Sequence, residues 1–334
     1  MHILIIRPGA IGDSLLAFPV IQALRTWYSS SHPRITLIGN AAVLPLALAF
    51  GLAQEVGDYG HLHWSELFST EGIHTPELRK QLQQTDLAIC WLRDSHGIVE
   101  HNLRLAGVKQ VIVAPGRPPE GKRTHVVDYL AETIGVKPGY MNPIYHVPPE
   151  GKRIHVVHWR RDQIYRVPRA EWMGHHAHES APSDPYDRCI AIHPGSGGEQ
   201  KCWPVTSFAA VIECLWQRDY PILLLAGPSD HERLSALQLS LSPSPEQGML
   251  NVLIDAPLVV VAEHLQQCSC YLGNDSGITH LAALLGIPTI ALFGPSDPLI
   301  WRPPGPHVEV IQKPTLEQLP VNIVIESILR RLGV

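Results

Sequence analysis

Along the first 115 residues, short apolar runs alternate with stretches whose apolar positions recur at helical spacing. Residues 2–6, 34–39, 86–92 and 110–115 are apolar-dominated runs bounded by turn residues, which predicts four buried strands. Between the first two, "SLLAFPVIQALRTWY" sets Leu15, Leu16, Val20, Leu24 and Trp27 at helical spacing. Segments around 43–53, 76–84 and 98–106 read as further helices. Strands that are apolar throughout, rather than alternating, belong to parallel sheets covered on both faces.

The alternation lapses between about 140 and 188, where Pro, His and charge accumulate. "IHVVHW" (154–159) predicts one strand there; the rest reads as linker or insertion. The pattern resumes at "CIAIH" (189–193) and continues through "VTSFAAVIECLWQR", "PILLLAG", "SDHERLSALQLSL", "NVLID", "LVVVAEHLQQ", "CYLG", "PTIALFG" and "HVEVIQ". Pro204 is expected at the first position of the first of these helices. The resulting expectation is a Rossmann-like domain over 1–150, a linker or insertion over 151–187 and a second such domain over 188–319. A last helix, about 320–334, would pack back on the first domain.

Composition narrows the function classes. A chain of 334 residues suits two domains, and with 45% hydrophobic and 17% charged residues each can bury a core. A formal net charge of -5 argues against a nucleic-acid binder, although "GKRTH" and "HWRRDQIYRVPR" are local basic patches. The six cysteines match neither a zinc ribbon nor a secreted disulfide framework, so reduced thiols are expected. The start, "MHILIIRPGAIGD", has no basic leader, and the apolar 41–53 stretch is interrupted by Pro45 and shorter than the ~18–20 residues of a bilayer span. A cytoplasmic protein is expected, with at most peripheral contact at the cytoplasmic membrane face.

Candidate chemistry gathers in three glycine-bearing turns: "RPGAIGD" (7–13), "HPGSGGEQK" (193–201) and "GNDSG" (273–277). The last runs from an apolar segment straight into a helical pattern. Asp275 or Ser276 can cap that helix, and its free amides and dipole can equally hold a phosphate. A second turn of the phosphate-binding kind in the same half favours the anion reading. In open parallel sheets ligands sit beyond the carboxyl ends of the strands, so the three turns would surround one cleft. A nicotinamide site is disfavoured, since the first turn is Gly9-Ala10-Ile11-Gly12 and the second strand ends in Gly39-Asn40. A P-loop is excluded because Cys202 follows Lys201, and no DxD pair offers a metal bridge to a diphosphate.

"ILIIRPGAIGDSLLAFPVIQALR", "IAIHPGSGGEQKCWPVTSFAAVI" and "YLGNDSGITHLAALLGIPTIALFGPSDP" together resemble the three signature blocks of glycosyltransferase family 9, the ADP-heptose:lipopolysaccharide heptosyltransferases and their relatives. The blocks cover about a quarter of the chain, while their order and spacing extend over nearly all of it. The resemblance implies a GT-B fold, two Rossmann-like α/β domains whose parallel sheets face an interdomain cleft. It also implies metal-independent, inverting transfer of a heptose from ADP-heptose to a saccharide or glycolipid acceptor such as a lipopolysaccharide core. No cofactor beyond the nucleotide-sugar substrate is implied.

By position, Asp13 matches the family's catalytic aspartate, with an N-cap as its structural alternative. Lys201 matches the phosphate-contacting lysine, against the alternative of a solvated surface residue. Gly12, Ser196 and Gly197 fall in the turns around them. Asp275 fits the acid that contacts the donor sugar, and Ser276 and Gly277 offer amides to the phosphates. His280, four residues after Ser276, stands on the same helix face and either approaches the ligand or is a bonded core histidine. No acceptor motif of the family is visible in 55–130; Arg93, Asp94 and His96 are candidate contacts in what otherwise reads as an exposed loop. His175, His176, His178 and Glu179 offer metal-ligand chemistry, but their Pro/Ser-rich surroundings favour a loop. Three rivals share the scaffold: transfer from a different sugar nucleotide, a sugar-nucleotide 2-epimerase-like enzyme, and a catalytically silent sugar-nucleotide binder.

Overall fold

A computed structural model of the 334-residue chain describes residues 1–136, 145, 188–242 and 248–334. The predicted strand at 154–159 lies outside these residues. Among those described, eleven strands form two parallel sheets.

The first sheet contains β1 (His2–Arg7), β2 (Arg34–Gly39), β3 (Glu55–Asp58), β4 (Leu87–Trp91) and β5 (Gln110–Ala114) in the order β3-β2-β1-β4-β5. Its helices are α1 (Ile11–Leu15), α2 (Phe18–Trp27), α3 (Leu44–Ala49), α4 (Pro76–Gln83), α5 (Ile98–Leu105) and α6 (Val126–Thr133). The second sheet contains β6 (Ile190–His193), β7 (Ile222–Ala226), β8 (Leu250–Ile254), β9 (Cys270–Asn274), β10 (Thr289–Phe293) and β11 (Val308–Gln312), in the order β11-β10-β9-β6-β7-β8. With it go α7 (Val205–Trp216), α8 (His231–Ser240), α9 (Leu258–Leu265), α10 (Gly277–Leu284), α11 (Pro298–Trp301) and α12 (Val321–Arg331).

Four elements depart from the sequence expectation. The edge strand β3 is only half-buried and carries no long apolar run, so periodicity misses it. The first helix breaks between Leu15 and Phe18, because Pro19 offers no amide to continue the hydrogen-bond ladder and instead sits in the first turn of α2. Pro204 is the N-cap of α7, one residue before its expected place. The C-terminal helix α12 does not return to the first sheet. Its Val324 and Ile328 are fully buried with Trp203, Phe208 and Leu292, in the core between the second sheet and α7.

A second core runs continuously through both halves. Ile3, Ile5 and Trp91 of the first sheet belong to the same buried cluster as Ala191 and Tyr271 of the second, with Leu15 of α1 and Leu281 of α10 between them. Polar ties reinforce the junction: Arg123 Nε donates to Asp297 Oδ2 at 2.9 Å, and His125 Nε2 lies 2.8 Å from the Arg302 carbonyl. Among the described residues no helix is long and apolar enough to cross a membrane.

Candidate active site

In each sheet the strand order reverses between two parallel neighbours, β1 and β4 in the first and β6 and β9 in the second. Such reversal points open a crevice at the carboxyl ends of the strands. The quoted turns begin at these places, since Arg7 ends β1, His193 ends β6 and Asn274 ends β9.

The turn after β1 is shaped around Asp13. Gly9 has φ +140°, and a Cβ there would stand 2.9 Å from that of Asp13. Asp13 occupies the third position of α1 and accepts from the Ala10 amide through Oδ2 at 3.3 Å, which is half of a capping box. Arg7 Nε donates to the Asp13 carbonyl at 3.2 Å, and its Nη2 stands 3.6 Å from Asp13 Oδ1. The Asp13 side chain nevertheless keeps 34% of its surface exposed, so a proton-bearing ligand can reach it.

Beyond β9 the polar groups are buried and bonded to one another. Asn274 donates to the carbonyls of Pro194 (2.7 Å) and Gly195 (3.3 Å) and accepts from the Trp203 amide (3.0 Å), tying the two turns of this half together. Ser276 caps α10 by accepting from the Thr279 amide. Its Oγ lies 3.2 Å from His193 Nδ1, while His193 Nε2 lies 3.0 Å from Asp230 Oδ2. Since that carboxylate accepts from Nε2, Nδ1 is left to accept from the Ser276 hydroxyl. Thr279 Oγ1 donates to the Asn274 carbonyl and meets Tyr271 OH at 3.0 Å.

Asp275 lies at the centre of the charged groups. Its carboxylate is buried, with Lys201 Nζ 2.7 Å from Oδ2 and His280 Nε2 3.8 Å from Oδ1. Burial alone would raise its pKa. The His280 ring and the Lys201 ammonium outweigh burial and hold the carboxyl well below the usual aspartate range. At 3.8 Å the histidine acts through space, whereas the lysine makes the direct bond. Ser196 Oγ donates to the Asp275 carbonyl at 2.7 Å, so this hydroxyl braces the second turn against the third. A Cβ at Gly197 would meet nothing within 4 Å, so this backbone faces open space.

The two halves meet at α1 and α10. A Cβ on Gly277 would come within 2.6 Å of Ile11 Cγ2, and one on Gly12 within 3.2 Å of His280 Cδ2. Glycine at both positions therefore lets the helix starts touch, which puts Asp13 one residue from the His280 contact. Gly12, Asp13, Lys201, Ser196, Asp275, Ser276, Gly277 and His280 thus belong to one locality. The buried His280 Nδ1 has no hydrogen-bond partner in the structure.

Arg93, Asp94 and His96 lie in the loop between β4 and α5. Arg93 and His96 are exposed, and Asp94 Oδ2 accepts from the Glu100 amide at 3.0 Å, bracing the start of α5. Among the described residues, no three His, Cys, Asp or Glu side chains gather as metal ligands. His175, His176, His178 and Glu179 lie outside those residues.

Residues 167–323 match the model of glycosyltransferase family 9 (heptosyltransferase). Over that segment the chain is similar to glycosyltransferase family 9. Lipopolysaccharide heptosyltransferase 3 of Escherichia coli is 30% identical over 116 residues, 34% of this chain and 33% of that protein. The alignable part thus spans about a third of the length of the curated relatives. The solved structure of E. coli ADP-heptose lps heptosyltransferase II aligns over 100% of this chain and 99% of its own, with TM-score 0.71 and 20% identity. That of E. coli heptosyltransferase WaaC with ADP covers 99% and 100% respectively, with TM-score 0.66 and 18% identity. At these identities the likeness establishes the fold, which is GT-B.

Several residues that build this candidate site escape the sequence reading. Arg7 and His193 lie inside the quoted turns, and each is a polar residue ending an apolar run. Asn274 likewise is the polar residue that ends β9. Asp230 leaves no such signal: it opens an ordinary-looking helix, and only the fold carries it to His193.

Proposed function

We propose that the protein is an inverting glycosyltransferase that moves a heptose from ADP-heptose to a saccharide acceptor such as a lipopolysaccharide core, without a metal ion. The observation that carries this reading is the meeting of α1 and α10, which brings the partly exposed Asp13 carboxylate into the locality of the Lys201–Asp275 ion pair. The match to glycosyltransferase family 9 over residues 167–323 and the names of the relatives suggest the sugar and the nucleotide.

In this reading the acceptor hydroxyl gives its proton to the Asp13 carboxylate. Its oxygen bonds to the anomeric carbon on the face opposite the diphosphate, and the bond from that carbon to the phosphate oxygen breaks, leaving its electron pair on ADP. Lys201 is suited to the departing charge. Its ammonium has three donors, and the bond to Asp275 orients it while leaving others for the diphosphate. The first amides of α10 have no carbonyl one turn earlier and add donors that need no reorganisation. Asp275 supports the reading as the anchor of Lys201, with any contact to the donor sugar secondary to that bond. The acceptor approaches over the carboxyl edge of the first sheet, where the loop after β4 carries Arg93, Asp94 and His96, and a glycolipid acceptor would bring that edge to the cytoplasmic membrane face.

Incubation with ADP-heptose and a heptose-deficient core oligosaccharide, with ADP release and product mass as readouts, tests the proposal. Acceptor-dependent ADP release with a heptose added to the core is expected. Equal turnover with UDP-sugars, epimerisation without acceptor, or tight donor binding without release would each overturn it.

A further inference from the structure

Arg7 is the most deeply buried charged side chain beside the proposed base, with 5% of its surface exposed. Its guanidinium reaches the same residue twice, through Nε to the Asp13 carbonyl at 3.2 Å and through Nη2 towards the Asp13 carboxylate at 3.6 Å. Buried Nη2 has no hydrogen-bond partner in the structure. Room for the guanidinium exists only because residue 116 is glycine: a Cβ there would overlap Arg7 Nη1 and stand 3.0 Å from the Trp91 carbonyl.

A purely structural role explains this arrangement poorly. Burying a guanidinium with an unsatisfied N–H is costly, and an apolar side chain ending β1 would fill the space more cheaply. Burial does push the Arg7 pKa down, with Asp13 acting against it. A guanidinium nevertheless stays charged at any physiological pH. On the other side of the carboxylate, Oδ2 is held by the Ala10 amide. The Ala10 amide therefore bonds Oδ2 while the Arg7 charge faces Oδ1, and a third of the Asp13 side chain remains exposed.

We propose that Arg7, seated in the space that Gly116 leaves open, is a positioning residue that aims the Asp13 carboxylate at the acceptor hydroxyl. The inference rests on the reading of Asp13 as the base. It assigns no ligand contact to Arg7 itself, so its loss should act on turnover through Asp13 and leave nucleotide binding alone.

The test combines kinetics with a thermal double-mutant cycle. Arg7→Met should lower kcat roughly 10- to 100-fold, as expected for a misplaced reacting group. The Kd for ADP should stay within about two-fold. Arg7→Lys should recover part of the loss. Gly116→Ala should reproduce it without touching any charge, which keeps the test informative if Arg7→Met folds poorly. In an Asp13→Asn background, Arg7→Met should cost less than about two-fold further. Multiplying losses in the double variant, or a fall in ADP affinity equal to the fall in kcat, would overturn the positioning role. Melting temperatures give a readout that needs no activity. Asp13→Ala should lower Tm in the parent, where it strands a buried cation, and lower it less in the Arg7→Met background. Additive Tm losses would sink the Arg7–Asp13 coupling even in an active enzyme. An inactive parent with coupled Tm losses would sink the transferase reading instead.

Discussion

The carboxyl ends of the two sheets are built on opposite plans. Beyond β6 and β9, Asp230, His193, Ser276, Thr279 and Tyr271 form a buried network in which each side chain bonds the next, and the Asn274 side chain ties the two turns through backbone groups. Beyond β1, one buried arginine and one backbone amide hold a carboxylate that is still one-third open to solvent. The proposed chemistry accounts for the difference. A site that receives charge developing on a leaving group works best when its donors are fixed beforehand and have nothing to rearrange. A proton acceptor must instead keep a face free for an incoming hydroxyl, so its support can come only from behind.

The largest effect should come from breaking the open side. Asp13→Asn should lower turnover by about 10²- to 10⁴-fold with ADP affinity nearly unchanged, because asparagine still accepts from the Ala10 amide but takes no proton. Near-normal turnover in this variant would make Asp13 a cap and nothing more. Lys201→Ala tests the closed side. It should cost on the order of 2–4 kcal/mol in kcat/KM, and more affinity for free ADP than for ADP-sugar, because the terminal phosphate of ADP carries extra charge. Equal binding of both ligands by variant and parent would leave Lys201 no role beyond its ion pair.

Stability should divide the halves as well. Asn274→Ala removes two donated bonds and one accepted bond in a fully buried setting, so denaturant unfolding should show a loss of about 2–4 kcal/mol. A loss below about 0.5 kcal/mol, the size of an ordinary surface change, would mean that the network is not the fixed scaffold described above.

The same division governs what the sequence reveals. Strands such as β1, β4 and β7 are legible because burial on both faces demands an unbroken apolar run. The half-buried edge strand β3 makes no such demand and stays hidden. Within the candidate site, Asp13, Lys201 and Asp275 stand out in the sequence because they lie in the three blocks that resemble glycosyltransferase family 9. The contacts that give them their setting do not, since they join distant positions: Lys201 to Asp275, His193 to Asp230, Arg7 to the space at Gly116. The packing of α12 is illegible for the same reason. Its apolar face fits either sheet in pattern, and only the shape of the core around Trp203 and Phe208 decides.

Acid should separate the halves further. The Asp275 carboxyl is held below the ordinary aspartate value of 3.8 because His280 and Lys201 outweigh its burial. A depressed native pKa stabilises the fold above the unfolded value, and this contribution is lost as pH falls through the native one. Asp230 adds the same sign, since His193 and the Gly227 amide outweigh its burial. Melting temperatures should therefore fall as pH drops below about 4, and Asp275→Asn should flatten that fall. An identical acid slope in parent and variant would remove Asp275 as its source.

The smallest effect falls on Gly197, where the closed side meets open space. Its added Cβ meets nothing within 4 Å, and its φ is not in the left-handed region, so Gly197→Ala should change unfolding stability by less than about 0.5 kcal/mol. The neighbouring Gly195 is the contrast, because a Cβ there would run into the Asp230 carboxylate. Ligand binding should register the change at Gly197 even though the fold does not. If a diphosphate packs against this backbone, the methyl displaces it by a fraction of an ångström and weakens about one hydrogen bond, roughly 1 kcal/mol or five-fold in ADP affinity. Calorimetric titration of ADP into parent and variant measures that difference directly. Unaltered affinity would confine the second turn to holding Lys201 in place, and a stability loss as large as that of Asn274→Ala would show that the space beside Gly197 is not open.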